Sequence, residues 1–217
     1  MSVRNTLIAP GEYYHICNRG VSKQIIFHNS DDYNRFLFLI LYFQSSTTFD
    51  QIGRIVKQFV QSPALDIRKD VINKRTVELL AFCIMPNHFH LIIKEVEDNG
   101  VINYLQRILT AYSKYYNTKY EKSGHVFQGP YRSIHISDDR QFLHTSAYIH
   151  RNPRELRGWI NREDKYPWSS YQDYIGNNRW SDLLQTQALL DGFKNKREYK
   201  KFVETSRTKI TEEDLGF

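Results

Sequence analysis

Residues 77–96 read VELLAFCIMPNHFHLIIKEV, and the fold turns on how this stretch is read. Val77 to Met85 and Asn87 to Val96 are two apolar, strand-like runs joined through Met85-Pro86-Asn87, so they predict two antiparallel strands with a tight connection. The second run carries histidines at i and i+2, His88 and His90. Side chains two apart on a strand share a face, roughly 6.5–7 Å apart at Cα, while Phe89 turns the other way into the core. Two imidazoles at that spacing can converge on one metal ion. They can equally be satisfied histidines on a half-solvated sheet face, and H-x-H alone does not choose.

The flanking sequence supplies the rest of the architecture. Glu12 to Asn18 is a short strand candidate, followed by the turn-like Arg19-Gly20. Ser30-Asp31-Asp32 opens an apolar helix over Tyr33 to Phe43, with acids in its first turn. A further helix is predicted around Ile52–Val60, with a loop after Pro63. Beyond the paired strands, Asp98-Asn99-Gly100 caps a long helix over about Val101 to Tyr120. Ile102, Leu105, Ile108, Leu109, Tyr112 and Tyr116 share one of its faces. His125 to Ile136 reads as an extended strand kinked at Gly129-Pro130. Asp138-Asp139 opens a helix over roughly Arg140 to Arg151, closed by Asn152-Pro153. Two short helices follow, Leu183 to Leu190 and Lys194 to Val203. This order predicts an α+β, ferredoxin-like (RRM-like) antiparallel sheet with helices on one face, plus a C-terminal helical extension.

Composition narrows the function classes. A chain of 217 residues can bury a sizeable core, and no apolar run reaches membrane-span length. The start MSVRNTLIAPGEYY lacks the apolar core of a signal peptide, so the cytoplasm is the expected compartment. Cys17 and Cys83 both lie in apolar strand-like runs, which favours buried thiols over a disulfide or a zinc site. The net charge of +6 and the aromatic content of 14% suit a partner that offers phosphates and unpaired bases. Core packing and a solvated basic surface account for the same numbers.

A metal held by two histidines alone is under-coordinated, and an enzyme would also need a nucleophile. The helix ending Ala147-Tyr148-Ile149-His150-Arg151-Asn152-Pro153 can supply both, because Tyr148 and Asn152 are i and i+4 on one face. An amide oxygen is a hard ligand that suits Mg²⁺ or Mn²⁺ beside imidazoles. Tyr112, Tyr115 and Tyr116 are rival tyrosines, but no potential ligand follows them at i+4 and they read as core packing. His144, one turn before Tyr148, is either a proton-transfer aid or a surface or packing residue, and His150 and Arg151 flank the site as either phosphate contacts or solvated side chains. The basic cluster Lys194, Lys196, Arg197, Lys200 and Lys201 is either a solvated face or a DNA footprint.

With these residues in view, the chain resembles the single-tyrosine HUH transposases. Met85-Pro86-Asn87-His88-Phe89-His90 is similar to their His-hydrophobe-His motif. GHVFQGPYRS (124–133), YIHRNP (148–153) and YPWSSY (166–171) resemble the REP-associated tyrosine transposase branch, as do Tyr14 to Gly20 and Ile26-Phe27. The resemblance spans about residues 8 to 176. It implies a catalytic domain over 1–176 and a basic helical extension over 177–217. It implies a divalent metal, Mg or Mn, on His88, His90 and Asn152, with Tyr148 as nucleophile. The implied reaction is cleavage and strand transfer of hairpin-bearing single-stranded DNA through a 5′-phosphotyrosine, in DNA transposition, by a bacterial or archaeal, nucleoid-associated protein. Arg19, Gln128, Arg132 and Arg151 are the DNA-contact candidates. Insertion-sequence relatives usually carry Gln where Asn152 stands, and the branch usually places Arg where this chain has Pro130. A single-strand binder without catalysis and a metal-dependent nuclease without a covalent intermediate are the competing readings, and monomer or homodimer stays open.

Overall fold

The computed structural model describes residues 8–62 and 67–207. Four strands, β1 (Tyr13–Arg19), β2 (Val77–Met85), β3 (His88–Glu95) and β4 (Arg132–Ile136), form one antiparallel sheet in the order β2-β3-β1-β4. The helices are α1 (Ser30–Tyr42), α2 (Ile52–Gln61), α3 (Arg68–Asn73), α4 (Gly100–Lys119), α5 (Asp139–Arg151), α6 (Tyr171–Ile175), α7 (Gln187–Leu190) and α8 (Lys196–Thr205). β1, β2, β3 and β4 with α1 and α4 between them make the expected ferredoxin-like sandwich.

Alternation along the strands sorts the core. Tyr14, Ile16, Phe82, Ile84, Phe89, Leu91 and Ile93 pack against the apolar faces of α1 and α4. Ala81, Cys83, Met85, Ile92 and Ile136 point the other way, against Phe142, Ala147 and Ile149 of α5 and Tyr171, Tyr174 and Tyr199 of α6 and α8. The helical layer read from the sequence is therefore present, and the opposite sheet face is covered as well, by α5 and the C-terminal helices. A bulge between Leu79 and Ala81 lets Leu80 join the second core, and Tyr174 donates its hydroxyl to the Leu80 carbonyl at 2.6 Å.

Helix starts follow side-chain chemistry. Asn29 accepts from the Asp31 and Asp32 amides while Asp32 reaches back to the Asn29 amide, a reciprocal cap for α1. The start of α4 departs from the sequence reading: Asn99, in the left-handed region at φ 63°, makes no side-chain cap. Glu95, at the end of β3, supplies it by accepting from the amides of Gly100 (3.0 Å) and Val101 (2.6 Å). Gly100 is required there, since a Cβ would stand 2.3 Å from the Thr76 carbonyl oxygen. The buried stripe of α4 is Val101, Tyr104, Leu105, Ile108, Tyr112 and Tyr116, with Ile102 and Leu109 only half-buried. Three other boundaries shift. The strand expected over His125–Ile136 forms only at Arg132–Ile136, because Gly129 at φ 62° turns the chain first. α3 lies in the stretch read as loop, and the expected helix over Leu183–Leu190 is reduced to α7. No helix among the described residues is long and apolar enough to cross a membrane.

Candidate active site

The register of the sheet sets the site. On the face toward α5, His90 stands opposite Cys17 of β1 and Cys83 of β2, and Cys17 in turn faces Arg132 of β4. One row further along, His88 stands between Arg19 and Met85. Phe89, between the two histidines, is fully buried in the α1/α4 core, as its parity requires.

α5 crosses this face and delivers Tyr148. Its ring lies 5.3 Å from that of His90, edge-on, and the His88 and His90 rings are 5.0 Å apart and nearly perpendicular. Asp138 caps the helix start by accepting from the Gln141 amide, and Pro153 stops it. Asn152 nevertheless keeps helical angles (φ −51°, ψ −36°), so it stays on the Tyr148 side of the helix. Its Oδ1 lies 3.0 Å from His88 Nε2, while His88 Nδ1 lies 2.7 Å from Asn87 Oδ1. The residues expected together from spacing, His88, His90, Tyr148 and Asn152, are thus brought to one place.

The electrostatics suit ligation better than unaided nucleophilicity. Burial holds His90 well below the ordinary imidazole range, with His88 and His15 adding to the effect, so His90 is neutral and carries a lone pair. Burial pushes the Tyr148 phenol up, the nearby Glu155 carboxylate adds to this, and Asn152 acts in the opposite direction. A phenol raised in this way is a poor nucleophile unless its phenolate is stabilised. The flanking thiols stay protonated: burial raises Cys17 to about 12, and Cys83 well above the ordinary range. Both are free and buried, and neither is an available thiolate ligand.

Among the described residues no three His, Cys, Asp or Glu side chains gather as for a metal ion; the set here is two histidines and an amide. That set fits a hard divalent ion. If His88 donates from Nδ1 to Asn87, its Nε2 lone pair faces Asn152 Oδ1 across 3.0 Å, two electron-rich atoms directed at each other. Adjacent corners of an octahedron with bonds of about 2.1 Å lie about 3.0 Å apart, so a cation bound by both would turn this repulsion into attraction.

The DNA-contact candidates divide. Arg19 and Arg132 share the histidine face, and Arg19 Nε donates to Gln128 Oε1 at 2.7 Å, so these three line the β1–β4 side. Arg151, one helical turn beyond Tyr148, is half-buried, with Nε and Nη1 lacking a hydrogen-bond partner. Pro130 lies exposed in the loop beside Gly129. The rival tyrosines are spent in the other core: Tyr112 donates to the Ile26 carbonyl, Tyr115 to Asp32, and Tyr116 contacts His28. His144 packs on Phe202, and His150 is fully buried rather than beside substrate. Of the basic cluster, Lys196 bonds the Gly176 carbonyl and Lys200 pairs with Asp164 and Glu204, while Lys194, Arg197 and Lys201 are exposed.

Two residues near the centre escaped the sequence reading. Glu155, just past Asn152, is the carboxylate felt by Tyr148. His15 of β1 is buried, with Nε2 3.0 Å from His90 Nδ1. Strand parity puts His15 on one of two faces, but only the β1–β3 register places it beside His90.

The family model described as "Transposase IS200 like" matches residues 47–152, a span holding both histidines, Tyr148 and Asn152. Over that span, a little under half of the chain, the protein is similar to the IS200-like transposases. A solved REP-associated tyrosine transposase, bound in that structure to a REP hairpin, is 15% identical and superposes with a TM-score of 0.52. The match covers 81% of this chain and 86% of that one, and it supports the fold. A second structure, of a transposase from Deinococcus radiodurans R1, matches at 12% identity over 75% of this chain and 98% of that one. Its TM-score of 0.29 is too low to bear on the fold. No curated protein matches. β1, which carries His15, lies outside the matched span.

Proposed function

We propose that this protein is a transposase that cuts and rejoins single-stranded DNA at hairpin-bearing sites through a covalent tyrosine intermediate, with a divalent ion, Mg²⁺ or Mn²⁺, bound by His88, His90 and Asn152. The observation that carries this reading is the convergence of those three ligands with the Tyr148 ring on one sheet face. The ion would supply charge neutralisation at the scissile phosphate and stabilise the developing phenolate. Tyr148 Oη attacks phosphorus and loses its proton, the P–O3′ bond breaks, and the 3′ oxygen leaves as a hydroxyl. The product is a 5′-phosphotyrosine. The phosphoester energy is retained, so a second 3′-OH can attack and reseal without a nucleotide cofactor. Arg19, Gln128 and Arg132 would hold the strand along the β1–β4 side, with Arg151 at the far end of α5. Residues 1–176 would form the catalytic unit and 177–217 its helical extension. The hairpin in the related structure suggests the substrate class.

Incubating a labelled single-stranded hairpin oligonucleotide with protein and Mn²⁺ tests this. A covalent adduct is expected, lost in EDTA and lost in Tyr148→Phe, with hairpin binding by the variant nearly intact. Cleaved product without adduct would make the protein a nuclease, and a bare mobility shift would make it a binder. An adduct that survives Tyr148→Phe would remove Tyr148 from the chemistry.

A further inference from the structure

His15 is a buried imidazole beside the candidate centre to which the proposed reaction assigns no role. On its sheet face it sits between Ile134 of β4 and Ile92 of β3, an apolar row in which an imidazole is costly without a polar partner. Its Nε2 meets His90 Nδ1 at 3.0 Å, the two rings lie nearly parallel 5.2 Å apart, and both residues are almost completely buried. They are diagonal neighbours across β1 and β3, since His90 pairs directly with Cys17. The small Cys17 side chain leaves room for the two rings to meet.

A hydrogen bond between two neutral imidazoles has a direction. If His15 donated, His90 would hold its remaining proton on Nε2, and neither His90 nitrogen would have a lone pair to give. If His90 donates, its proton is on Nδ1 and its Nε2 lone pair is committed outward. We infer that His15 is a positioning residue: it accepts the His90 Nδ1–H bond at Nε2 and so holds His90 in the ring orientation and tautomer that can ligate a cation through Nε2. The role would be that of the outer-shell acceptors that commonly orient metal-bound histidines, but taken here by a second imidazole on the neighbouring strand. The His15 ring also lies edge-on to Tyr148 at 6.1 Å, so a change of its orientation would be felt at the tyrosine as well.

The inference rests on the metal reading of the site, and two measurements separate them. Long-range ¹H–¹⁵N correlation spectra of the metal-free full chain at neutral pH should show His90 protonated at Nδ1 and His15 bearing an unprotonated Nε2. A His90 proton on Nε2 would overturn the inference. Mn²⁺ affinity, read by electron paramagnetic resonance without DNA, should fall about 10–100-fold in His15→Phe, which keeps a ring but offers no acceptor. His15→Gln, which restores an acceptor, should recover part of it. Melting in EDTA reports whether each variant folds, and the wild-type spectra decide the matter if His15→Phe does not. Mn²⁺ binding equal in wild type and folded His15→Phe would overturn the role of His15 alone. Failure of wild-type protein to bind Mn²⁺ would overturn the metal reading and this inference with it.

Discussion

Tyr199→Phe should destabilise the protein while sparing its chemistry. Tyr199, on α8, is fully buried; its hydroxyl lies 2.6 Å from His150 Nδ1 and 3.2 Å from Ser146 Oγ, both on α5. His150 Nε2 in turn lies 2.8 Å from Ser170 Oγ, which contacts the Phe82 carbonyl of β2 at 3.2 Å. A consistent set of donors runs Tyr199 O–H to His150, His150 Nε2–H to Ser170, and Ser170 O–H to β2, tying the C-terminal helix through α5 to the sheet. It requires neutral His150, and burial does push this residue down to about 3. Removing the hydroxyl leaves His150 Nδ1 buried without a donor, a loss of about 1–3 kcal/mol. For a chain of this length that corresponds to a melting temperature lower by roughly 2–12 °C. His150 is two residues from Tyr148, about 200° round the helix, so the Tyr148 side should be undisturbed. Thermal melts of wild type and Tyr199→Phe, with adduct assays at 20 °C, provide the check. A variant melting within 1 °C of wild type would show that α8 does not brace α5. Normal melting with loss of adduct would show that the bond acts on the chemistry.

Two further outcomes are expected elsewhere in the molecule. Asp32 is buried and accepts from Lys119, Tyr115, Tyr120 and the His28 amide; burial alone would raise it, but these bonds outweigh burial and hold it below the ordinary carboxylate range. A depressed carboxyl stabilises the fold fully above its unfolded pKa of about 4, and that share is lost as pH falls toward the folded value. Between pH 5 and pH 3 wild type should therefore lose more stability in urea titrations than Asp32→Asn, and parallel losses would refute the assignment. Arg132→Ala should weaken hairpin binding on all sequences and reduce the slope of log K against log salt by about 0.7, as for one lost phosphate contact on a single strand. An unchanged slope would place the strand elsewhere.

The paired strands were legible because two signals agree over residues 77–96. Apolar runs of strand length flank a Pro-Asn turn, and parity sends Phe89 inward and both histidines to the other face. The same kind of local rule located the acidic first turn of α1 (though its cap is Asn29, just upstream), the run of α5 and the Tyr148–Asn152 pair, since i,i+4 on a helix is a statement about neighbours in sequence. The same spacing chose Tyr148 over Tyr112, Tyr115 and Tyr116, and resemblance to the transposase motifs agreed with that choice. The misreadings are instructive for the opposite reason. Glu95 caps α4 from five residues upstream and from another element, so Asp98-Asn99 looked like the cap. His150 reads as a phosphate contact or a solvated residue because it flanks Tyr148 in sequence, whereas it is buried against Tyr199, 49 positions away.

The sequence by itself therefore determined what depends on short spacing: element types, the face each histidine takes, and the Tyr148–Asn152 pair on α5. Tertiary structure alone decided which faces meet. His15 and His90 are 75 positions apart and touch only because β1 pairs with β3 in one register; a slip by one residue would turn His15 into the α1/α4 core. Register is set by the summed burial of both sheet faces and by the bonds that stitch Pro86 and Asn87 to the β1–α1 connection. No window of sequence contains that sum, so the neighbours of His90 are a property of the folded sheet.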